Sequence, residues 1–268
     1  MKAALLLLLL PALTSMAAAS PVQEPGQPGK REITIPTIDI SQETGRHVVI
    51  ARGTEDTYQG HATTALMPDG KTMFCVWTIN HGGPCGPMTR SDDGGLTWSE
   101  LLPVPESWRQ THNCPAIYRL VDPAGAARLF VFAGQGPDGA MHQSHSEDGG
   151  RTWTPMQSSG LTAVMPFCTI EPVDGGKRLL GMTNIRRPGE TTEKRSNIVA
   201  QSFSTDGGLT WTSPWEIVLD VPGCKPCEPW LIHSPDGKQL LCIMRENNRA
   251  MNAWMMTSDD EGRTWSKA

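Results

Sequence analysis

Ser91-Asp92-Asp93-Gly94-Gly95-Leu96-Thr97-Trp98 decides the fold, because the chain writes the same pattern three more times. The other copies are SEDGGRTW (Ser146–Trp153), STDGGLTW (Ser204–Trp211) and SDDEGRTW (Ser258–Trp265), and the first serines stand 55, 58 and 54 residues apart. A fixed period of this size marks one supersecondary unit repeated, hence an array or a propeller. The octapeptide suits a tight turn between two strands. Its Asp can accept backbone N–H bonds inside the turn, its Gly can take φ > 0, and its Trp can anchor the hairpin in a core. Trp98, Trp153, Trp211 and Trp265 are four of only nine tryptophans, so indole use follows the repeat.

Between the copies the chain reads as short β-rich runs bounded by Gly, Pro and Asp. Each repeat lays out as inner strand, turn, second strand, variable loop, third strand, octapeptide, outer strand. The inner and second strands are expected at His61–Met67 and Thr72–Ile79, Cys114–Val121 and Arg128–Gly134, Cys168–Val173 and Arg178–Asn184, and Glu228–Ser234 and Gln239–Arg245. Inner strands of a propeller surround its axis. Their starts (His61, Asn113–Cys114, Phe167–Cys168, Cys227–Glu228) and the second-strand ends (Asn80–His81, Gln135, Asn184–Arg187, Arg245) therefore converge, and a pocket is sought there.

Met1–Ala19 reads as a secretory signal peptide: Lys2, an apolar run to Leu13, then Ala17-Ala18-Ala19 suited to cleavage before Ser20. Export to a secreted or periplasmic location follows, and no other segment approaches membrane-spanning length. Residues 20–45 read as a leader with a possible closing strand, in Ile33–Ile40 or just beyond it in His47–Ala51. The net charge of −5 with no Lys/Arg block argues against nucleic acid as a partner. Seven cysteines, an odd number, leave at least one unpaired within the chain. Cys114, Cys168 and Cys227 at equivalent strand starts could ring a metal with His61, but a zinc signature needs two Cys pairs or clear histidine partners. A local disulfide or small buried thiols fit an exported chain better, so no metal and no cofactor are expected.

The octapeptide is the Asp box, and with this blade layout the chain resembles the bacterial sialidase (neuraminidase) superfamily of BNR-repeat proteins. That resemblance implies an all-β fold, a six-bladed β-propeller. At about 55 residues per repeat, residues 46–268 hold four blades, so an N-terminal fragment lacking about two blades is expected. In Cys227-Glu228-Pro229-Trp230 and Met244-Arg245-Glu246-Asn247 the chain is similar to the sialidase element in which a Glu opens an inner strand and an Arg ends the next. The resemblance makes Glu228 the carboxylate that activates a tyrosine nucleophile and Arg245 one of three arginines on the substrate carboxylate. Guanidinium forks suit that task, and a tyrosine needs a partner base to attack an anomeric carbon. An ion pair lining the channel is the other reading of the same two residues.

Blade one departs from the family pattern. Residues 58–64 (Tyr-Gln-Gly-His-Ala-Thr-Thr) carry no arginine, and the loop Asn80–Gly86 carries no carboxylate. His61 and His81 stand at the right places to substitute in acid–base work, although loop histidines also serve as ordinary hydrogen-bonding residues. Arg186, Arg187 and Asn113 are the further substrate-binding candidates. Trp108, Arg109 and His112 could form a subsite wall, or Trp108 could pack between blades. The expected activity is a secreted exo-α-sialidase-type hydrolase acting on a sialoglycoconjugate. A non-catalytic glycan-binding propeller and a different glycosidase on the same scaffold are the alternatives.

Overall fold

A computed structural model describes residues 36–136, 138–186, 197–217 and 221–268. The chain divides after Arg46 into two compact units. In the first, residues 36–46 hold one 3-10 turn, Thr44–Arg46. Neither residues 36–40 nor residues 47–51 form a strand, so the expected closing strand is absent from these described positions. Residues 33–35, the signal peptide and the rest of the leader lie outside the described residues.

The second unit consists of antiparallel sheets that follow one another as blades. Blade 1 is β1 (Gln59–Leu66), β2 (Met73–Ile79) and β3 (Cys85–Ser91). Blade 2 is β4 (Ala116–Val121), β5 (Ala127–Ala133), β6 (Met141–Ser146) and β7 (Gln157–Leu161). Blade 3 is β8 (Thr169–Val173), β9 (Arg178–Arg186), β10 (Asn197–Ser204) and β11 (Trp215–Glu216). Blade 4 is β12 (Pro226–His233), β13 (Leu240–Glu246) and β14 (Trp254–Ser258). Each is an up-and-down meander in sequence order, the layout expected from the repeat.

Every Asp box begins on the last residue of a third strand: Ser91, Ser146, Ser204 and Ser258. Its turn is closed by its own side chains. In the first, Ser91 Oγ donates to Asp93 Oδ1 at 2.8 Å, and Asp93 accepts the Thr97 amide at 2.9 Å and the Thr97 hydroxyl at 2.6 Å. Asp148, Asp206 and Asp260 repeat this set. The Thr97 bonds hold the Asp93 carboxyl down at about 2, and Thr264 does the same for Asp260. A carboxylate that accepts several donors is held in its charged form.

The boxes also join the blades. On β5, Leu129, Val131 and Ala133 pack with blade 1, while Phe130 and Phe132, pointing the other way, pack with blade 3. That alternation is the period-2 geometry of a strand buried on both faces. The Phe130 position recurs as Phe74, Leu180 and Leu241, each opposite the residue before a box serine. The fifth residue of the next box, a glycine in each, lies on that side chain: Gly150 on Phe74, Gly208 on Phe130 and Leu120, and Gly262 on Leu180. Polar bonds finish each seam. Gln143 donates to the Leu209 carbonyl at 2.9 Å, and Gln201 bonds both the Gly262 carbonyl and the Trp265 indole at 2.8 Å. On blade 4 the matching face, with Trp230, Ile232, Ile243 and Met255, is exposed among the described residues.

Gly208 tests the seam directly. Its φ is +97°, and a β-carbon there would stand 2.6 Å from Leu120 Cδ1. Gly176 has a φ of +84° but open space around it. Gly208→Ala is expected to cost well over 1 kcal/mol and to lower Tm more than Gly176→Ala. Equal losses would show that blade 2 does not press on the third box.

Candidate functional site

The inner strands do not start as regular strands. The β1–β2 register slips between Gly60 and Thr63, and the β12–β13 register between Cys227 and Trp230. A bulge leaves one residue outside the ladder and re-aims its side chain. The re-aimed residues are His61, at φ 49°, and Glu228, at φ 52°. In blade 2, Asn113 (71°) and Cys114 (48°) are left-handed in the segment just before β4, without a register slip in the strand. Left-handed backbone costs a non-glycine residue roughly 1–3 kcal/mol and gathers at functional sites. Its recurrence at three equivalent strand starts is the strongest geometric signal in the molecule.

These positions sense one another. The His61 and His81 rings meet edge to face with centroids 4.5 Å apart, and the Gly82 amide donates to His61 Nδ1 at 3.4 Å. Burial and the neighbouring His81 push the His61 pKa down, against an opposing pull from the Glu228 charge. The same carboxylate adds to burial in raising Cys114 to about 11 and in raising Cys168. The charge of Glu228 thus reaches residues at the starts of blades 1, 2 and 3.

Glu228 and Arg245 are in contact. Arg245 Nη1 donates to both Glu228 oxygens at 2.8 Å, and Nη2 donates to Asn247 Oδ1 at 2.6 Å. Their side chains remain 40% and 53% exposed, so the pair is open to solvent. Cys227 pairs with Arg245 across the β12–β13 ladder, which brings the bulged Glu228 beside the guanidinium. Beside them the carboxylate of Glu246, itself buried, accepts the amides of Lys225 and Ala250 and fixes the loop after β13.

The other candidates divide. Asn113 Nδ2 donates to the Val164 carbonyl at 2.7 Å, and its Oδ1 accepts the Cys114 thiol at 3.1 Å. Its amide is committed to joining blades 2 and 3, which leaves it little for a ligand. Arg186 ends β9, is exposed, and pairs with Asn197 in the β9–β10 ladder. Arg187 lies outside the described residues. Trp108 is buried and meets Trp153 edge to face at 5.2 Å, so it packs between blades 1 and 2 rather than walling a subsite. Arg109 is exposed beside Glu106 at 3.8 Å.

All seven cysteines are free thiols, with no disulfide between Cys224 and Cys227. Among the described residues no three His, Cys, Asp or Glu side chains are arranged to hold a metal ion. Nor is any helix among them long and apolar enough to cross a membrane. A groove of about 470 Å³ opens between blades 3 and 4 around His233, Lys238 and Glu261, away from the bulged strand starts.

Sequence reasoning missed how Glu228 is held. Its amide donates to Asn184 Oδ1 at 2.8 Å, and Asn184 lies fully buried on β9 of blade 3. The periodicity placed Asn184 among the convergent strand ends, but a bond between its side chain and a backbone 44 residues away leaves no mark in the sequence.

The His61 environment fixes a pH response. A histidine whose folded pKa lies below its unfolded value is stable neutral, so its contribution is complete above the unfolded pKa, about 6.5, and is lost as pH falls below it. Relative to a His61→Asn variant, the Tm of the wild type is expected to fall as pH drops from 7.5 to 5.5. Parallel Tm curves would show that the ring pays no penalty for its proton.

No family model matches the chain. A sialidase of Bacteroides fragilis is 28% identical over 170 residues, which cover 60% of this chain and 29% of that protein. The chain therefore spans less than a third of that curated relative. An α-L-arabinofuranosidase of Fusarium graminearum, solved with an iminosugar inhibitor, superposes with a TM-score of 0.58 at 15% identity, over 80% of this chain and 68% of its own. The NanB sialidase of Streptococcus pneumoniae gives 0.53 at 13% identity, over 85% and 55%. With its meander blades, its seams and these neighbours, the chain carries the fold of the sialidase-like β-propeller superfamily.

Proposed function

We propose that this chain acts as a sialidase-like glycoside hydrolase that releases a terminal acidic sugar, sialic acid or a relative, from glycoconjugates. The observation that carries the reading is the Glu228–Arg245 pair at the bulge of an inner strand, with the Glu228 charge felt by His61, whose ring meets that of His81. Each Glu228 oxygen has lone pairs left after Arg245, so the carboxylate can still accept from a sugar hydroxyl or a phenol. Arg245 is the cation that an acidic sugar would meet, and its planar fork matches a carboxylate. His61, neutral at pH 7 and accepting the Gly82 amide at Nδ1, presents an Nε2–H donor to the same centre.

One observation favours glycan binding without turnover. The Arg245 guanidinium is already divided between Glu228 and Asn247, and the loop Asn80–Gly86 offers no carboxylate as proton donor. The histidines would then serve recognition or, in a different glycosidase, replace the missing acid.

Fluorogenic sialosides and arabinofuranosides, presented to wild type and variants, separate these readings. Glu228→Gln is expected to lower kcat by about 10²-fold or more, and Arg245→Lys to raise KM for acidic sugars selectively. Absence of sugar release from the wild type sinks the hydrolase assignment, and release that survives Glu228→Gln unchanged sinks the role given to Glu228. Binding of a sialoside without release points to the lectin-like reading. We also propose export through the signal peptide of residues 1–19, so the secreted protein should begin at Ser20 on N-terminal sequencing; an intact Met1 on the exported protein would refute cleavage.

A further inference from the structure

We infer that Asn184 is a positioning residue for this site, a clamp from blade 3 that holds Glu228 of blade 4 in its left-handed conformation. The inference rests on the reading of Glu228 as the working carboxylate. At the bulge between Cys227 and Trp230 the ladder leaves one residue unpaired, and the backbone N–H of Glu228 needs an acceptor from elsewhere. Asn184 Oδ1 supplies it at 2.8 Å. The other half of the amide reaches the Pro226 carbonyl at 3.4 Å and the Ile198 carbonyl at 3.5 Å, both long. A fully buried amide is costly to leave unmatched, and the Glu228 bond is the one good bond among these three.

The consequence is directional. Glutamate at φ 52° is strained, and without a partner for its N–H the segment would gain by relaxing to negative φ. Relaxation would turn the Cα–Cβ bond away from Arg245 Nη1, which both carboxylate oxygens now meet. The carboxylate is therefore aimed across a blade seam, by a residue that does not touch the axis itself. A clamp differs from a seam-filling amide in one respect. The clamp's removal releases the strain at position 228, whereas loss of a seam filler leaves that strain in place.

The experiment is a cycle of Tm measurements with kinetics alongside. In the wild-type background, Glu228→Gly is expected to melt higher than Glu228→Ala, because glycine accepts positive φ without a Cβ penalty. In the Asn184→Ala background that advantage should fall by at least half. Asn184→Ser, a milder change, serves the same cycle if Asn184→Ala does not fold. On a glycoside that the wild type turns over, Asn184→Ala should lower kcat by about tenfold or more while moving KM less than about threefold, since small misplacements of a reacting group act on the rate. An undiminished glycine advantage overturns the inference, and so does an unchanged kcat beside a diminished one. If the wild type turns over no glycoside, the hydrolase reading fails, and the Tm cycle alone decides whether Asn184 clamps Glu228.

Discussion

The contact between a box glycine and the first two strands of the preceding blade is the constraint on which the rest depends. Gly150 rests on Phe74, Gly208 on Leu120 and Gly262 on Leu180, at distances that leave no room for a β-carbon. That close approach lets Phe130, Phe132, Leu180 and Met182 be fully buried on blade faces that would otherwise stand open. Burying each such side chain is worth roughly 1.5–3 kcal/mol, far more than the exposed hydrogen bonds of the box. The serine, aspartate and threonine therefore shape the turn, and the glycine lets it dock. Turn chemistry and packing are selected together in one octapeptide.

Docking at the outer turns fixes the angle at which the inner strands meet, and the site is a product of that angle. His61 and Glu228 leave the ladder at the same point, near the start of an inner strand, and the left-handed Cys114 lies just before β4. A regular strand would alternate these side chains between the two blade faces, into the seams. The bulge turns them toward the common centre instead, at a cost in backbone strain that the neighbouring blade offsets through bonds such as Asn184 to Glu228. Strain and seam are thus coupled. A blade that slipped on its neighbour would lose the acceptor that keeps its own catalytic candidate in place.

How much of this the sequence carries follows from the range of each interaction. The boxes close within eight residues, so their residue types state the turn outright. Blade order and convergence follow from period alone, and Glu228 and Arg245 meet as expected because they face each other on one hairpin. Trp108 was ambiguous, since an indole before a strand fits a subsite or a seam equally well; its contact with Trp153 resolves it. Asn113 reads as a polar residue at a convergent start, yet its amide is taken by Val164, 51 residues on. The positive φ at Glu228 was invisible for the same reason: glycine announces such a position, and glutamate held there by a distant amide does not.

The remaining question is whether the Glu228–Arg245 pair is architecture, and other ion pairs of the same molecule supply the comparison. Arg128 bonds Asp122 at 3.1 Å and Glu147 at 2.8 Å, with Arg128 and Asp122 only 17% and 16% exposed. Asp174 gathers Arg178 and Arg263, and its amide donates to the Glu261 carboxylate across the seam between blades 3 and 4. Those networks are multiply bonded, built on sheltered residues (Arg128, Asp122, Arg178 and Asp174), and sited at the outer turns where blades join. The Glu228–Arg245 pair is about half exposed, lies at the axial ends of its strands and spans no seam. An exposed pair of this kind contributes roughly 0–1 kcal/mol, too little to justify a glutamate in left-handed backbone on grounds of stability. The conformation costs more than the pair returns, and that imbalance is the physical argument behind the ligand-binding role proposed for Glu228.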